Sequence, residues 1–184
     1  MTRLWLVRHG PTHAKTMLGH TDRPADLSDT DALARLSAAL PRVAIVSSDL
    51  SRTRATADAI QDGRPRLPDE PAFREFHYGA WEDRPFERID GPLLRAFFDR
   101  PGDVRPPGGE SWHDVLARVT AALDRYARHD DLIVVCHFGV ILCLWAEAAR
   151  IPPNDAVAQG VRPLSLTRID WGADPLAHSV DAVP

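Results

Sequence analysis

Three short apolar runs, each stopping abruptly at a polar cluster, constrain most strongly what this chain can fold into. Leu4-Trp5-Leu6-Val7 stops at Arg8-His9-Gly10, residues 43–46 stop at Ser47-Ser48-Asp49, and residues 132–136 stop at His137-Phe138-Gly139. Continuous apolar runs of this length suit strands buried on both faces of a sheet. Helical stretches alternate with them. Ser28 and Asp29 are positioned to cap a helix carrying Leu33, Leu36 and Leu40, which Pro41 ends. A second helix is expected over 51–60. Ser111 with Asp114 three residues on reads as a capping box opening a helix with Val115, Leu116, Val119, Leu123 and Tyr126 on one face. A very apolar helix follows over 140–149, stopped by Pro152-Pro153, and 164–169 is a last strand candidate. Strands alternating with helices predict an α/β fold, a three-layer α/β/α sandwich around a mainly parallel sheet.

The 184 residues form one expected domain, 1–184, with no repeat and no linker that would divide it. Residues 62–109 differ from the rest, being rich in Pro, Gly and aromatics, among them Phe73, Phe76, Tyr78, Trp81, Phe86, Phe97 and Phe98. So many aromatics argue for order, and the segment is expected to form a cap-like insertion with short helices, one around 93–98. The Ala- and Pro-containing tail after Trp171 is expected to be loose.

Ligands of open parallel sheets bind beyond the carboxyl ends of the strands. Arg8, His9 and His137 therefore converge on one crevice, joined by Arg52 at the start of the helix after the second strand, beside that helix's N-terminal amides. Two arginines, two histidines and a helix N-terminus make an anion site, and a tetrahedral, near-dianionic phosphate monoester is its natural ligand. The chain lacks a GxxxxGK[ST] loop, which excludes a P-loop nucleotide enzyme. His9 and His13 are separated by Pro11 and form no HExxH pattern, so neither a metal site nor another cofactor is expected. Phosphoryl transfer without metal needs a protein nucleophile and fixed positive charge. A neutral imidazole supplies the first, and a neighbouring arginine keeps it deprotonated.

Composition narrows the setting. A net charge of −4 argues against a dedicated nucleic-acid surface, and no apolar run approaches the length that spans a membrane. Met1 to Val7 is too short and too quickly polar for a signal peptide. Cys136 and Cys143, seven residues apart in an apolar stretch, read as buried thiols in a reducing compartment. A cytoplasmic protein is expected.

The same residues resemble a known family. Leu6-Val7-Arg8-His9-Gly10-Pro11-Thr12 looks like the Arg-His-Gly motif of the histidine phosphatase superfamily, also called phosphoglycerate mutase-like. Ser47-Ser48-Asp49-Leu50-Ser51-Arg52-Thr53 resembles its second motif, and residues 73–82, around Glu75, its acid-bearing motif. Pro107-Gly108-Gly109-Glu110-Ser111 and residues 135–141 are similar to two more. The resemblance covers the chain from Leu4 to about Ala149. It implies that His9 is the phosphorylated nucleophile, that Arg8, Arg52 and His137 hold the phosphoryl oxygens, and that Glu75 protonates the leaving oxygen and then activates water. Glu75 is identified by the motif alone. Desolvation by Phe76, Tyr78 and Trp81 is the expected means of raising its pKa. Departures occur at Lys15 (often Asn in the family), at Phe138-Gly139 (often Gly-Gly), and at Asp31 and Ala34.

The function so implied is a metal-independent phosphomonoesterase acting through a phosphohistidine on a small phosphorylated metabolite. In size the chain resembles alpha-ribazole phosphatase among the small bacterial members. The alternatives are phosphoglycerate mutase-type transfer, disfavoured by a short chain whose insertion is more aromatic than basic, and an idle phosphate-binding regulatory module, disfavoured by the intact set of five residues. Glu110 is expected to be structural, Trp81 to belong to the core of the insertion, and His13, His20, His113 and His129 to lie at the surface or pack against motifs; His77 stays open.

Overall fold

A computed structural model describes residues 1–89 and 91–184; Asp90, within the 62–109 segment, lies outside the described residues. Five strands form one sheet in the order β2-β3-β1-β4-β5. These are β1 Thr2–Arg8, β2 Ile45–Ser47, β3 Asp131–Cys136, β4 Leu166–Trp171 and β5 Leu176–Ala182. The centre is parallel: β1 pairs with β3 and β3 with β2. The other side is antiparallel, β4 against β1 and β5 against β4. The expected strands at 4–7, 43–46, 132–136 and 164–169 all form, with bounds shifted by a few residues.

The tail after Trp171 departs from expectation. It is ordered as β5, an edge strand whose backbone pairs with β4. Its side chains gave little signal because a half-exposed edge strand needs few apolar residues; the ladder, the contact of His178 with Asp170 and the ion pair of Asp181 with Arg162 hold it. The antiparallel side has a topological cause. After β3 and α5 (Phe138–Ala149), α6 (Pro153–Val157) and residues 158–165 return the chain to the carboxyl end of β1. There the Leu164 amide donates to the Arg8 carbonyl, and the next strand must run back along β1.

Alternate strand residues enter two separate cores. Leu4 and Leu6 of β1, with Leu132, Val134 and Cys136 of β3, pack with α4 (Trp112–Asp124) and α5. Val7, Ile133 and Val135 pack with Leu33, Leu36 and Leu40 of α1 (Thr30–Ala39) and its end, and with Ala57 and Ile60 of α2 (Ser51–Ala59) and its end. Asp29, of the two candidates, caps α1, its carboxylate accepting from the Ala32 amide at 2.9 Å. The Ser111–Asp114 capping box opens α4.

The described residues of 62–109 contain three single-turn helices, Pro71–Phe73, Gly79–Trp81 and Phe86–Arg88, and α3 (Pro92–Asp99). Phe73, Phe76, Trp81 and Phe97 join the first core, Trp81 standing edge-on to Phe97 with ring centroids 5.7 Å apart.

Candidate active site

The parallel register explains how residues far apart in sequence meet. Arg8 lies opposite Cys136 and Ser47 opposite Val135, so His9, Ser48 and His137 leave the sheet at one level. The His9 amide donates to the Cys136 carbonyl and the Ser48 amide to the Val135 carbonyl. The imidazoles of His9 and His137 meet edge-on, centroids 5.1 Å apart. Past His9 the chain is fixed to α2, since the Gly10 amide donates to Thr56 Oγ1 at 3.0 Å.

His9 Nδ1 lies 2.6 Å from the Gly10 carbonyl oxygen. A carbonyl only accepts, so Nδ1 carries the hydrogen and Nε2 keeps its lone pair. Burial, then Arg52 and Arg8, hold the His9 pKa down at about 3, against the pull of the Gly10 hydrogen bond. The ring is therefore neutral at physiological pH, with a lone pair available for attack.

Arg52 is wholly buried. Nη2 donates to the Gly19 carbonyl at 2.6 Å, Nη1 to the Thr21 carbonyl at 3.0 Å, and Nε to His137 Nδ1 at 3.3 Å. Since His137 Nδ1 accepts, its Nε2 carries the hydrogen and donates to Ser48 Oγ at 2.8 Å. Burial, with Arg52 and His9 beside it, keeps His137 neutral. Arg8 is half-buried; its guanidinium lies 5.3 Å from the centroid of the Phe138 ring and Nη1 donates to the Val161 carbonyl. Its buried Nε has no partner among the described residues. An unanswered buried donor is costly and is what an anion's oxygen would satisfy.

Glu75 is 5% exposed. Its carboxylate accepts from the Gly139 amide, at 3.1 and 3.0 Å to its two oxygens, and from the Phe76 amide at 3.0 Å. Burial raises its pKa; the two amides and both arginines pull the other way and are outweighed. Arg118, which sequence reasoning missed, holds the backbone beneath it by donating to the carbonyls of Ala72, Arg74 and Glu75 at 2.8, 2.8 and 2.7 Å. Glu110 pairs with Arg118 at 2.7 Å and accepts from the His77 amide. The signal available for Arg118 was its place on α4, eight residues after Glu110, which lies just ahead of the cap of that helix. His20 Nε2 also lies 3.0 Å from the Glu75 carbonyl, with His77 edge-on to His20 at 4.7 Å.

Arg8, His9 and Glu75 line one cavity of about 230 Å³ with Tyr78, Phe86, Phe98 and Phe138. Arg52 and His137 lie buried in contact with each other, His137 against the His9 ring. Trp81 and Lys15 are not in the wall, and Lys15 is exposed. Among the described residues no group of three or more His, Cys, Asp or Glu side chains is placed to hold a metal ion. Nor is any helix among them long and apolar enough to cross a membrane.

This arrangement has relatives. The chain is 29% identical over 189 residues to a probable phosphoglycerate mutase GpmB of Yersinia enterocolitica, covering 95% of this chain and 87% of that protein. Its structure is similar to the mycobacterial glucosyl-3-phosphoglycerate phosphatase, with a TM-score of 0.81, 26% identity and all of both chains covered. It superposes equally well, TM-score 0.81, on the alpha-ribazole phosphatase of Shigella flexneri over 98% of this chain and 96% of that one; at 23% identity this likeness speaks for the fold. The family model for branch 1 of the histidine phosphatase superfamily matches residues 4–178. That span includes all three strand ends and the cavity lined by Arg8, His9 and Glu75, and the chain belongs to this superfamily.

Proposed function

We propose that this protein is a metal-independent phosphomonoesterase in which His9 takes the phosphoryl group of a small monoester and passes it to water. His9 Nε2 attacks phosphorus as the bond to the leaving oxygen breaks, and Glu75 gives its proton to that oxygen. Glu75, now ionised, takes a proton from water. The resulting hydroxide attacks phosphorus, the N–P bond breaks with its electrons returning to Nε2, and inorganic phosphate departs. Arg8 Nε answers one phosphoryl oxygen. Arg52 Nε turns from His137 Nδ1 to a phosphoryl oxygen as charge builds there, and His137, taking its other tautomer, donates from Nδ1 while its Nε2 accepts from the Ser48 hydroxyl. The observation that carries this reading is the meeting in one cavity of a neutral His9, a buried Glu75 and the unanswered Arg8 donor.

The likeness to a probable phosphoglycerate mutase favours a second reading, with return of the phosphoryl group to a bound hydroxy acid. Such an acceptor brings a carboxylate. Among the described residues Arg8 is the one cationic side chain lining the cavity, and it is engaged with the phosphoryl group, so water is the better acceptor. An idle binding module would have no use for a buried acid beside a neutral histidine.

Two cores on opposite faces of the sheet support the three-layer reading, and the contribution of Tyr78, Phe86 and Phe98 to the cavity supports reading 62–109 as a cap on a single domain. The free, buried Cys136 and Cys143 suit a reducing cytoplasm. Phosphate release from a panel of monoesters in excess EDTA, native against His9→Ala, tests the mechanism. Turnover that survives EDTA and vanishes in His9→Ala supports it; undiminished turnover in His9→Ala overturns it.

A further inference from the structure

Beyond the phosphoryl-binding groups the cavity wall carries four aromatic rings and three aliphatic side chains, with Thr12 and Thr16 between them. Phe86, Phe98 and Phe138 face it together with Tyr78, Met17 and Leu18. These rings are braced from behind. Phe98 stands edge-on to Phe97 at 5.2 Å, and Phe97 stands edge-on to Tyr78 at 6.2 Å. Phe86 lies 6.5 Å from Phe98 and is 45% exposed, an unusual position for so large an apolar side chain. A second, small cavity of about 40 Å³ shares Tyr78, Phe98 and Phe138 with the first and prolongs the apolar wall toward Trp112 and Leu142.

Polar recognition is scarce on this wall. Besides the proposed catalytic groups, its polar side chains among the described residues are Thr12, Thr16 and Tyr78. Thr16 is already committed, its hydroxyl donating to Asp83 at 2.9 Å. A polyhydroxylated or carboxylated leaving group would lose water here and regain few hydrogen bonds, whereas a ring would bury apolar surface on both sides.

We infer that the preferred substrates are phosphate monoesters of apolar, ring-bearing alcohols, with the ring held among Phe86, Phe98 and Phe138. This rests on the phosphatase reading and adds the class of leaving group to it.

The test compares kcat/KM for benzyl phosphate, glycerol 1-phosphate and 3-phosphoglycerate. All three are alkyl monoesters whose leaving oxygens need protonation, so a difference reports the wall rather than the strength of the P–O bond. Benzyl phosphate is expected to lead by about tenfold or more, the order that burying one ring face gives. Phe98→Ala is expected to shrink the benzyl-to-glycerol ratio toward one. Phe86→Ala, at a half-exposed position where folding is not at stake, is expected to shrink it too. Turnover of glycerol 1-phosphate or 3-phosphoglycerate as efficient as that of benzyl phosphate overturns this inference and leaves the phosphatase reading standing. A benzyl preference unchanged in both variants does the same. No turnover of any ester, or turnover retained in His9→Ala, overturns the phosphatase reading and this inference with it.

Discussion

The carboxylate of Glu75 rests on the backbone amide of Gly139, 3.1 and 3.0 Å from its two oxygens, in the first turn of α5. The contact is possible because residue 139 has no side chain. A Cβ there would lie 2.4 Å from Glu75 Oε1 and 2.5 Å from two ring carbons of Phe76. Neither neighbour has room to retreat. Arg118 and His20 hold the Glu75 carbonyl, and the Phe76 ring packs against Trp112 and Phe97. Gly139→Ala is therefore expected to displace Glu75, the proposed acid. The expected loss is about a hundredfold or more in kcat on alkyl esters and about 1–3 kcal/mol in stability. Steady-state kinetics beside urea unfolding checks this; native kcat in a folded Gly139→Ala protein would show that Glu75 is not the proton donor.

In the proposed mechanism the two shifted groups set the pH profile. His9, at about 3, is neutral over the whole working range, while Glu75 keeps its proton to a pH above its ordinary 4.5. Neutral His9 and protonated Glu75 coexist between those limits, so kcat/KM on an alkyl ester should fall as pH rises through the elevated pKa of Glu75. Glu75→Gln should abolish that limb and cost about 10²–10⁴-fold on alkyl esters. It should cost far less on an aryl phosphate, whose phenolate leaves without a proton. An acid limb centred near 6.5, the ordinary histidine value, would mean that His9 titrates as an exposed imidazole and is not held neutral as described.

The parts of the site visible in the sequence are those that strand periodicity controls. Arg8 and Cys136 are register partners, so apolar runs ending in Arg8-His9 and Cys136-His137 suffice to bring two imidazoles together. Glu75 lies between single-turn helices with no periodicity, and its approach to Gly139, 64 residues away, depends on Arg118 and on a Cβ-free position. Residue spacing says nothing about such contacts, and only the motif resemblance identified it. Arg52 was placed correctly on α2, yet its surroundings come from the carbonyls of Gly19 and Thr21 in a loop that carries no regular pattern. β5 went unread because its order comes from backbone pairing with β4.

That loop depends on Glu82. Its Oε1 accepts from the amides of His20 and Tyr78 at 2.7 and 3.0 Å, and its Oε2 from the amides of Gly19 and Thr21 and the Thr21 hydroxyl at 3.2, 3.0 and 2.8 Å. Burial would raise its pKa, but these donors outweigh burial and keep it ionised. Glu82→Gln puts an amide NH2 against at least two of these donors whichever way it turns. The loop should loosen, and with it the carbonyls that orient Arg52. The expected result is about tenfold weaker inhibition by inorganic phosphate and a raised KM, with a smaller change in kcat. Unchanged phosphate inhibition would show that Arg52 keeps its place without Glu82.

Stability has its own buried arginine, away from the cavity. Arg64, 3% exposed, joins the carboxyl ends of two helices. Nε donates to the Pro41 carbonyl at 2.7 Å, Nη2 to the carbonyls of Ser37 and Leu40 at 2.7 and 2.8 Å, and Nη1 to the Ile60 carbonyl at 3.0 Å. Ser37 and Leu40 lie in and just past the last turn of α1, and Ile60 follows α2. The guanidinium thus gathers carbonyls at both helix ends, where the helix dipoles favour a cation. Arg64→Ala should cost about 3 kcal/mol, read as a lower urea midpoint with an unchanged m-value. Arg64→Lys should recover only part of this, because an ammonium cannot reach carbonyls spread around a planar fork. Since Arg64 touches none of the cavity residues, kcat per folded molecule should match the native protein in both variants. A midpoint within error of the native value for Arg64→Ala would mean that water serves these carbonyls as well as the guanidinium does.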